Sequence, residues 1–260
     1  MNLSMPAQLA LSYKNPAQQA RVVTEAWGLE NLYCPNCQSP SLNLAANNTP
    51  TFDYRCPLCE SPFQLKSKSS SIGDRIVDAA YESMLRAIRE GRTPNLYALH
   101  YERSFWRVRN LFLVPRFAFS ESAIEPRKPL APTARRAGWV GCNIVLRNIP
   151  PDARIKLVSD GIPSSPDKVR DEYQRLKPLE EIGVKERGWT LDVLRVVRSL
   201  GKSEFSNGDV YLFEHQLERL HPDNRHVRDK IRQQLQVLRD KGFIVQVRRG
   251  VWALSEHGLG

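Results

Sequence analysis

Asp53-Tyr54-Arg55-Cys56-Pro57-Leu58-Cys59-Glu60-Ser61-Pro62-Phe63-Gln64-Leu65-Lys66 is the stretch on which the reading of this chain turns. An acidic residue followed eleven positions on by an acid or amide, one spacer and a lysine is the arrangement of a metal-dependent nuclease site. Alternation along a strand turns Gln64 and Lys66 to one face and sends Leu65 toward the core. Asp53 and Gln64 are therefore candidates to hold a divalent cation, Mg²⁺. Lys66 is the candidate to position a water and to offset the charge growing on a phosphate. Such a pattern arises often by chance; its neighbours give it weight.

Those neighbours are Cys34-Pro35-Asn36-Cys37 and Cys56-Pro57-Leu58-Cys59, two pairs with two spacers each, separated by eighteen residues. That spacing fits a four-thiolate Zn²⁺ site, closed and structural, with no position left open for catalysis. Disulfides or buried thiols are the alternatives. Neither a secretory signal peptide nor a membrane-spanning run is recognisable, so a reducing cytoplasm is expected, and zinc over disulfides. Cys142 has no partner motif and reads as a small buried hydrophobe.

The 260 residues suffice for one large or two smaller domains, and 41% of them are apolar, enough to bury a core. A net charge of +10 favours a polyanionic partner, nucleic acid first, although a basic balance also merely aids solubility. Asn15-Pro16 predicts a capped helix that Gly28 closes. Ile72, Ile76, Ala80, Met84 and Ile88 recur at helical spacing and predict a helix over 72–90. Strands are expected over Leu96–Tyr101, Asn110–Val114 and Arg154–Val158, giving an α/β core with the site on neighbouring strands. Residues 161–181 read as a linker or a peripheral helix.

From residue 183 the pattern changes. Helices are expected over Trp189–Leu200, from an Asn207 cap to about Leu220, and over Arg225–Lys241, whose buried stripe is Val227, Ile231, Leu235 and Leu238. A hairpin of Phe243–Val247 and Val251–Leu254 follows, turning at Arg248-Arg249-Gly250. Three helices and a hairpin are the order of a winged helix. Its third helix exposes Arg225, Arg228, Arg232, Gln233, Gln236 and Arg239, side chains that reach base edges and phosphates in a major groove. Arg248 and Arg249 at the wing tip suit phosphates or a minor groove. A protein-binding winged helix with solvated arginines is the competing reading; concentration of the basic groups on one helix and the wing tip favours DNA.

These residues converge on a family. The chain resembles DpnI-type restriction endonucleases over nearly its whole length, in Tyr33-Cys34-Pro35-Asn36-Cys37, Leu65-Lys66-Ser67-Lys68, the run from Arg127 to Trp139, Arg187-Gly188-Trp189-Thr190 and the run from Lys230 to Gln236. The resemblance implies a PD-(D/E)xK nuclease domain with a zinc site (residues 1–182), then a winged-helix domain (183–260) that also reads the modified sequence. It further implies a prokaryotic enzyme cutting double-stranded DNA at GATC when the adenine carries an N6-methyl group. Asp53 and Lys66 match the catalytic aspartate and lysine. Where the family has glutamate this chain has Gln64, whose amide oxygen ligates a hard cation without bringing charge. It is either a natural variant or a glutamate replaced to trap a DNA complex; natural variation is the reading carried forward. A backbone carbonyl at Leu65 is a further candidate ligand.

Detecting one methyl group needs a snug apolar surface, because a methyl in a pocket is worth only about 1–3 kcal/mol. Trp139, between glycines at 138 and 141, is the candidate in the nuclease part, with Arg135 and Arg136 beside it for bases or phosphates. A core tryptophan and a solvated basic pair are the plainer alternatives. The expectation is a Mg²⁺-dependent type II endonuclease with a structural Zn²⁺, a monomer in solution with no membrane partner. Its rivals are a methylated-DNA-binding regulator with an attenuated site and a nuclease of different specificity on the same scaffold.

Overall fold

The computed structural model describes residues 1–46 and 52–255. The chain opens with α1 (Pro16–Asn31), β1 (Asn43–Leu44), β2 (Tyr54–Arg55) and β3 (Pro62–Lys68). Next come β4 (Arg75–Ala80), α2 (Tyr81–Arg89), β5 (Asn95–Glu102), β6 (Arg107–Val114), β7 (Ile124–Pro126) and β8 (Gly141–Val145). After β9 (Ile155–Ser159), β10 (Ile162–Pro163) and α3 (Pro166–Leu176), the tail holds α4 (Val184–Ser199), β11 (Glu204–Ser206), α5 (Asn207–Tyr211) and α6 (Glu214–Leu220). It ends in α7 (Val227–Asp240), β12 (Ile244–Arg248) and β13 (Val251–Leu254).

Two compact units form. The first comprises residues 1–76, 92–116 and 153–174. Its seven-stranded sheet has the order β1-β2-β3-β5-β6-β9-β10. β3 and β5 pair in parallel, while β1–β2, β2–β3, β5–β6, β6–β9 and β9–β10 pair antiparallel. The bulkiest wholly buried side chains here include Trp27, Tyr54, Phe63 and Tyr97, with Phe63 stacked on Tyr97 at 5.5 Å. Of the two readings of residues 161–181, the helix is found, as α3, but it is part of this core rather than peripheral: Val169 and Tyr173 are buried, and the Tyr173 hydroxyl donates to Asn95 Oδ1 at 3.0 Å. Buried Asn95 also donates to the Pro62 carbonyl at 3.1 Å, so strand and helix share one satisfied amide.

α1 begins as its cap predicts, Asn15 accepting from Ala17 N–H at 2.8 Å, but it does not stop at Gly28. Gly28 serves close approach instead. A Cβ there would lie 2.5 Å from the Tyr54 hydroxyl, which donates to the Glu25 carbonyl at 2.9 Å. The helix expected over 72–90 is half strand. Ile76 and Asp78 are buried at period two in β4, and helical geometry starts only at Tyr81. Spacing of four suits both periods, so the sheet that β4 forms with β8 and β7 decides.

The second unit comprises residues 77–91, 117–152 and those from 175 onward. Its winged helix is α4, the α5–α6 pair, α7 and the sheet β11-β13-β12. The second helix is capped by Ser206, one residue earlier than expected, because Ser206 and Asp209 form a reciprocal capping box. Asn207 pins the wing: its amide N–H donates to Gly250 O at 3.0 Å and its Oδ1 accepts from Trp252 Nε1 at 2.7 Å. The helix breaks at Leu212-Phe213 into α5 and α6. Inside, Thr190 donates to Gln234 at 2.6 Å between α4 and α7, and His221 stacks on Trp189 at 3.8 Å while contacting buried Asp192 at 2.9 Å. No helix among the described residues is long and apolar enough to cross a membrane.

Gly28→Ala tests the α1 contact. Helix propensity alone favours alanine by about 1 kcal/mol, yet overpacking against Tyr54 costs about 1–3 kcal/mol and the displaced hydrogen bond about 1 kcal/mol more. Denaturant unfolding is expected to show net destabilisation. Gly73→Ala, with nothing within 4 Å of its Cβ position, is expected to change stability by less than about 0.5 kcal/mol.

Candidate active site and nucleic-acid interface

The second cysteine pair is the turn of a hairpin. Cys56 N–H donates to Ser61 O at 3.0 Å, closing a loop from which β2 and β3 emerge paired as Arg55↔Pro62 and Tyr54↔Phe63. The first pair closes likewise, with Cys34 N–H on Ser39 O at 3.2 Å. The sulfurs of Cys34, Cys37, Cys56 and Cys59 all lie within 4.8 Å of one another, with Cys34–Cys59 and Cys37–Cys56 at 3.5 Å. None is in a disulfide. Sulfurs bound tetrahedrally to zinc at about 2.3 Å stand about 3.8 Å apart, so the cluster matches that metal. Burial, then the neighbouring Cys59, pushes the Cys34 thiol well up. Burial opposes ionisation of Cys59 too, but hydrogen bonds from Ser61 and from Cys34 outweigh it and bring that thiol down to about 6.

α3 clamps this cluster, a role no sequence motif announces. Arg170 Nε donates to Cys37 O at 3.1 Å and Cys34 O at 3.4 Å, and its Nη2 to Ser39 O at 3.3 Å. The guanidinium also lies 5.3 Å over the Tyr33 ring, and Gln174 donates to Asn36 O at 3.0 Å. A four-thiolate zinc centre would carry two net negative charges, and the largely buried Arg170 cation that grips the first turn would offset part of them.

Asp53 directly precedes β2. Its N–H donates to Phe63 O at 2.8 Å, and its carboxylate Oδ2 accepts the Leu65 N–H at 2.7 Å. Paired residues share a face, so Tyr54 and Phe63 turn toward α1 while Asp53 and Gln64 turn the other way, and Lys66 follows Gln64. Asp53, Gln64 and Lys66 are thus brought together, each partly exposed. Leu65 is half-buried on the Phe63 face rather than sunk in the core. In an extended residue the N–H and C=O project to the same strand edge, so the Leu65 carbonyl points to the edge where Asp53 sits.

Sequence reasoning passed over Glu25. Its carboxyl is raised first by burial, with Arg21 at 3.3 Å opposing and the negative charge of Asp53 adding to the rise. A second carboxylate therefore lies within electrostatic reach of Asp53. Only the packing of α1 on β3, sealed by Thr24 Oγ1 at 3.2 Å from Ser67 Oγ, brings it there.

In the second unit the basic run forms a loop closed at its neck. Arg127 N–H donates to Gly141 O at 2.8 Å and Leu130 N–H to Trp139 O at 3.0 Å. Arg135 and Arg136 are exposed, and Trp139 is half-buried with the Arg136 guanidinium 4.9 Å over its ring. Gly141 leaves room for it, since a Cβ there would meet the indole at 2.9 Å. On α7, Arg228, Arg232, Gln233 and Gln236 are exposed; Arg225, expected on this helix, is exposed just ahead of it, and Arg248 and Arg249 are exposed on the wing. Several are partnered: Arg228 donates to Glu214 at 2.8 Å, Arg232 to Asp229, and Gln233 accepts from Lys230 at 2.9 Å.

Comparison with known families gives two matches. Residues 1–182 match the DpnI family, described as Dam-replacing, and residues 185–253 match the Dam-replacing helix-turn-helix domain.

One equivalent of zinc per chain is expected by elemental analysis of protein purified without added metal; less than half an equivalent removes the assignment. Arg170→Ala is expected to speed zinc loss to a colorimetric chelator by about 10–100-fold. Cys56→Ser is expected to destabilise the first unit, because the binding energy of a structural zinc is folding energy.

Proposed function

We propose, for a chain that belongs to the DpnI, Dam-replacing, family, a Mg²⁺-dependent type II endonuclease that cuts double-stranded DNA at GATC sites carrying N6-methyladenine. Membership implies a methylation-dependent restriction nuclease with a DNA-binding helix-turn-helix domain. The finer reading is ours. The observation that carries it is the 2.7 Å bond from Leu65 N–H to Asp53, which docks the aspartate onto the strand bearing Gln64 and Lys66.

The donor set fits a hard cation: a carboxylate oxygen of Asp53, the amide oxygen of Gln64 and the Leu65 carbonyl. When bound, Mg²⁺ supplies Lewis acidity at the phosphate. Lys66, on the same face, orients the attacking water and offsets the charge that develops on the phosphoryl oxygens. Gln64 brings no charge, so the cation would rest on the single carboxylate of Asp53 and on neutral oxygens. The four cysteines hold Zn²⁺ as a structural ion. Residues 1–182 are assigned the cutting and 183–260 a separate reading of the site, the chain acting as a monomer in a reducing prokaryotic cytoplasm. Arg135, Arg136, Arg225, Arg228, Arg232, Arg248 and Arg249 face phosphates and bases, Gln233 and Gln236 face bases, and Trp139 offers the half-exposed apolar surface that a methyl group needs.

Plasmid carrying methylated or unmethylated GATC, incubated with the protein and Mg²⁺, tests this. Cleavage of the methylated plasmid alone is expected. Lys66→Ala and Asp53→Ala are each expected to lower the rate at least about a hundredfold while leaving methyl-specific binding in place. Gln64→Glu is expected to keep or raise cleavage. If Lys66→Ala cuts at the wild-type rate the active-site assignment is wrong. If neither the natural chain nor Gln64→Glu cuts any DNA, the reading becomes a methylated-DNA-binding regulator.

A further inference from the structure

Asn110 on β6 orients a histidine that the proposed chemistry leaves unused. Its side-chain oxygen accepts the Asp160 N–H at 2.9 Å. A backbone N–H can only donate, so the carbonyl end of the Asn110 amide is fixed there and its nitrogen stands 3.3 Å from His100 Nδ1. An amide nitrogen also only donates. Nδ1 is therefore the acceptor, and the ring carries its proton on Nε2, the ring nitrogen farther from the backbone. His100 is half-buried, so this tautomer offers a neutral N–H donor at the sheet surface. The β5–β6 register slips directly after the His100↔Asn110 pair, and bulges of this kind re-aim side chains beside functional sites.

The same face carries Lys66. Residues paired across strands share a face, and exposed Lys68 on β3 pairs with His100 on β5. Lys66 lies two residues before Lys68, and its row runs through Ala98 and Phe112 to exposed Lys156 on β9. Lys66, Lys68, Lys156 and the His100 N–H thus share one face of the sheet, a surface complementary to a polyanion. With strands about 4.8 Å apart and a rise of about 3.3 Å per residue, His100 stands about 8 Å diagonally from Lys66. Side chains rise roughly upright from a sheet, so the two meet different phosphates. We infer that Lys68 and the His100 Nε2–H form a second phosphate subsite, which takes the phosphodiester next to the one that Lys66 attends. The inference rests on the proposed function, because Lys66 marks the bond that is cut. Lys68 supplies charge and His100 a directed hydrogen bond without charge. Asn110 is the positioning residue: it sets the tautomer and touches no DNA. Gripping the neighbouring linkage holds the strand in register with the metal ligands.

Binding of the full chain to a duplex with GATC methylated on both strands is measured by fluorescence anisotropy over a range of salt, at mildly alkaline pH and without divalent metal. His100→Ala is expected to weaken binding about tenfold, the lower end for a hydrogen bond to a charged group. The slope of affinity against salt is expected to stay unchanged, because a neutral donor displaces no counterion. Lys68→Ala is expected to weaken binding and to reduce that slope by about one. His100→Gln, which keeps an N–H near the Nε2 position, is expected to restore most of the affinity, and Asn110→Ala to lose part of it. A single uncharged methylphosphonate, placed in turn at each linkage around GATC, locates the contact, and Mg²⁺ cleavage of the unmodified duplex maps the cut. At one linkage next to the cut, the substitution is expected to cost the natural chain about tenfold more affinity than it costs His100→Ala. Natural affinity in His100→Ala overturns the inference and leaves the proposed function standing. So does a loss that is equal at every linkage, which makes the residue structural, or a slope that falls by about one, which makes it a cation. If the natural chain binds but cuts no DNA, the proposed function falls, and the subsite loses its place beside a cut.

Discussion

Four cysteine sulfurs gathered within 4.8 Å of one another, a cluster that could hold one metal ion, set the geometry on which the first unit depends. Because Cys56 and Cys59 lie in the turn between β2 and β3, the pull that brings the sulfurs together also fixes which residues of those strands face each other. Asp53 stands three residues before Cys56, and Gln64 five after Cys59. Their meeting is a matter of register. A slip of one residue would turn Gln64 and Lys66 to the Tyr54 side, against α1, and leave Asp53 facing a leucine. The Leu65 N–H bond to Asp53 is a second lock on the same register, and Arg170 a third hold on the far side of the metal cluster. The four-cysteine turn thus sets the register that brings Asp53 opposite Gln64.

Charge is handled differently at the two ends of the chain. Around Asp53 one expected carboxylate is an amide, Gln64, and the neighbouring acid, Glu25, is raised by burial and paired with Arg21. Along α7 cations are many, and in the DNA-free protein Arg228, Arg232 and Arg239 rest on Glu214, Asp229 and Asp240. Exposed pairs of this kind are worth about 0–1 kcal/mol each. They keep long side chains ordered at little cost, and pairs this weak yield readily to a stronger anion.

The cysteine knuckles, the Asp53…Lys66 pattern, the capped start of α1, the buried stripe of α7 and the hairpin wing were all legible in the residues. Each rests on a local rule: ligand spacing, strand alternation, capping chemistry or helical period. The misreadings share a cause as well. β4 passed for helix because a spacing of four fits either period when no partner strand is in view. Gly28 passed for a helix end because the Tyr54 ring that requires a glycine lies on another element. α3 read as a linker or a peripheral helix because its apolar residues are few, and its contribution to the core is a buried tyrosine on Asn95 and an arginine on three carbonyls.

The sequence by itself determined the four-cysteine cluster, the strand that follows it and the order of helices and strands in the tail, because those depend on neighbours within about twenty positions, the span of the zinc-ligand spacing. Tertiary structure alone decided which side chains from distant segments share a charge or a hydrogen bond: Glu25 with Asp53, Arg170 with the Cys34 and Cys37 carbonyls, Tyr211 with Arg228. Such contacts follow from how whole elements pack. Packing is a property of faces, and no short pattern along a chain records which two faces will meet.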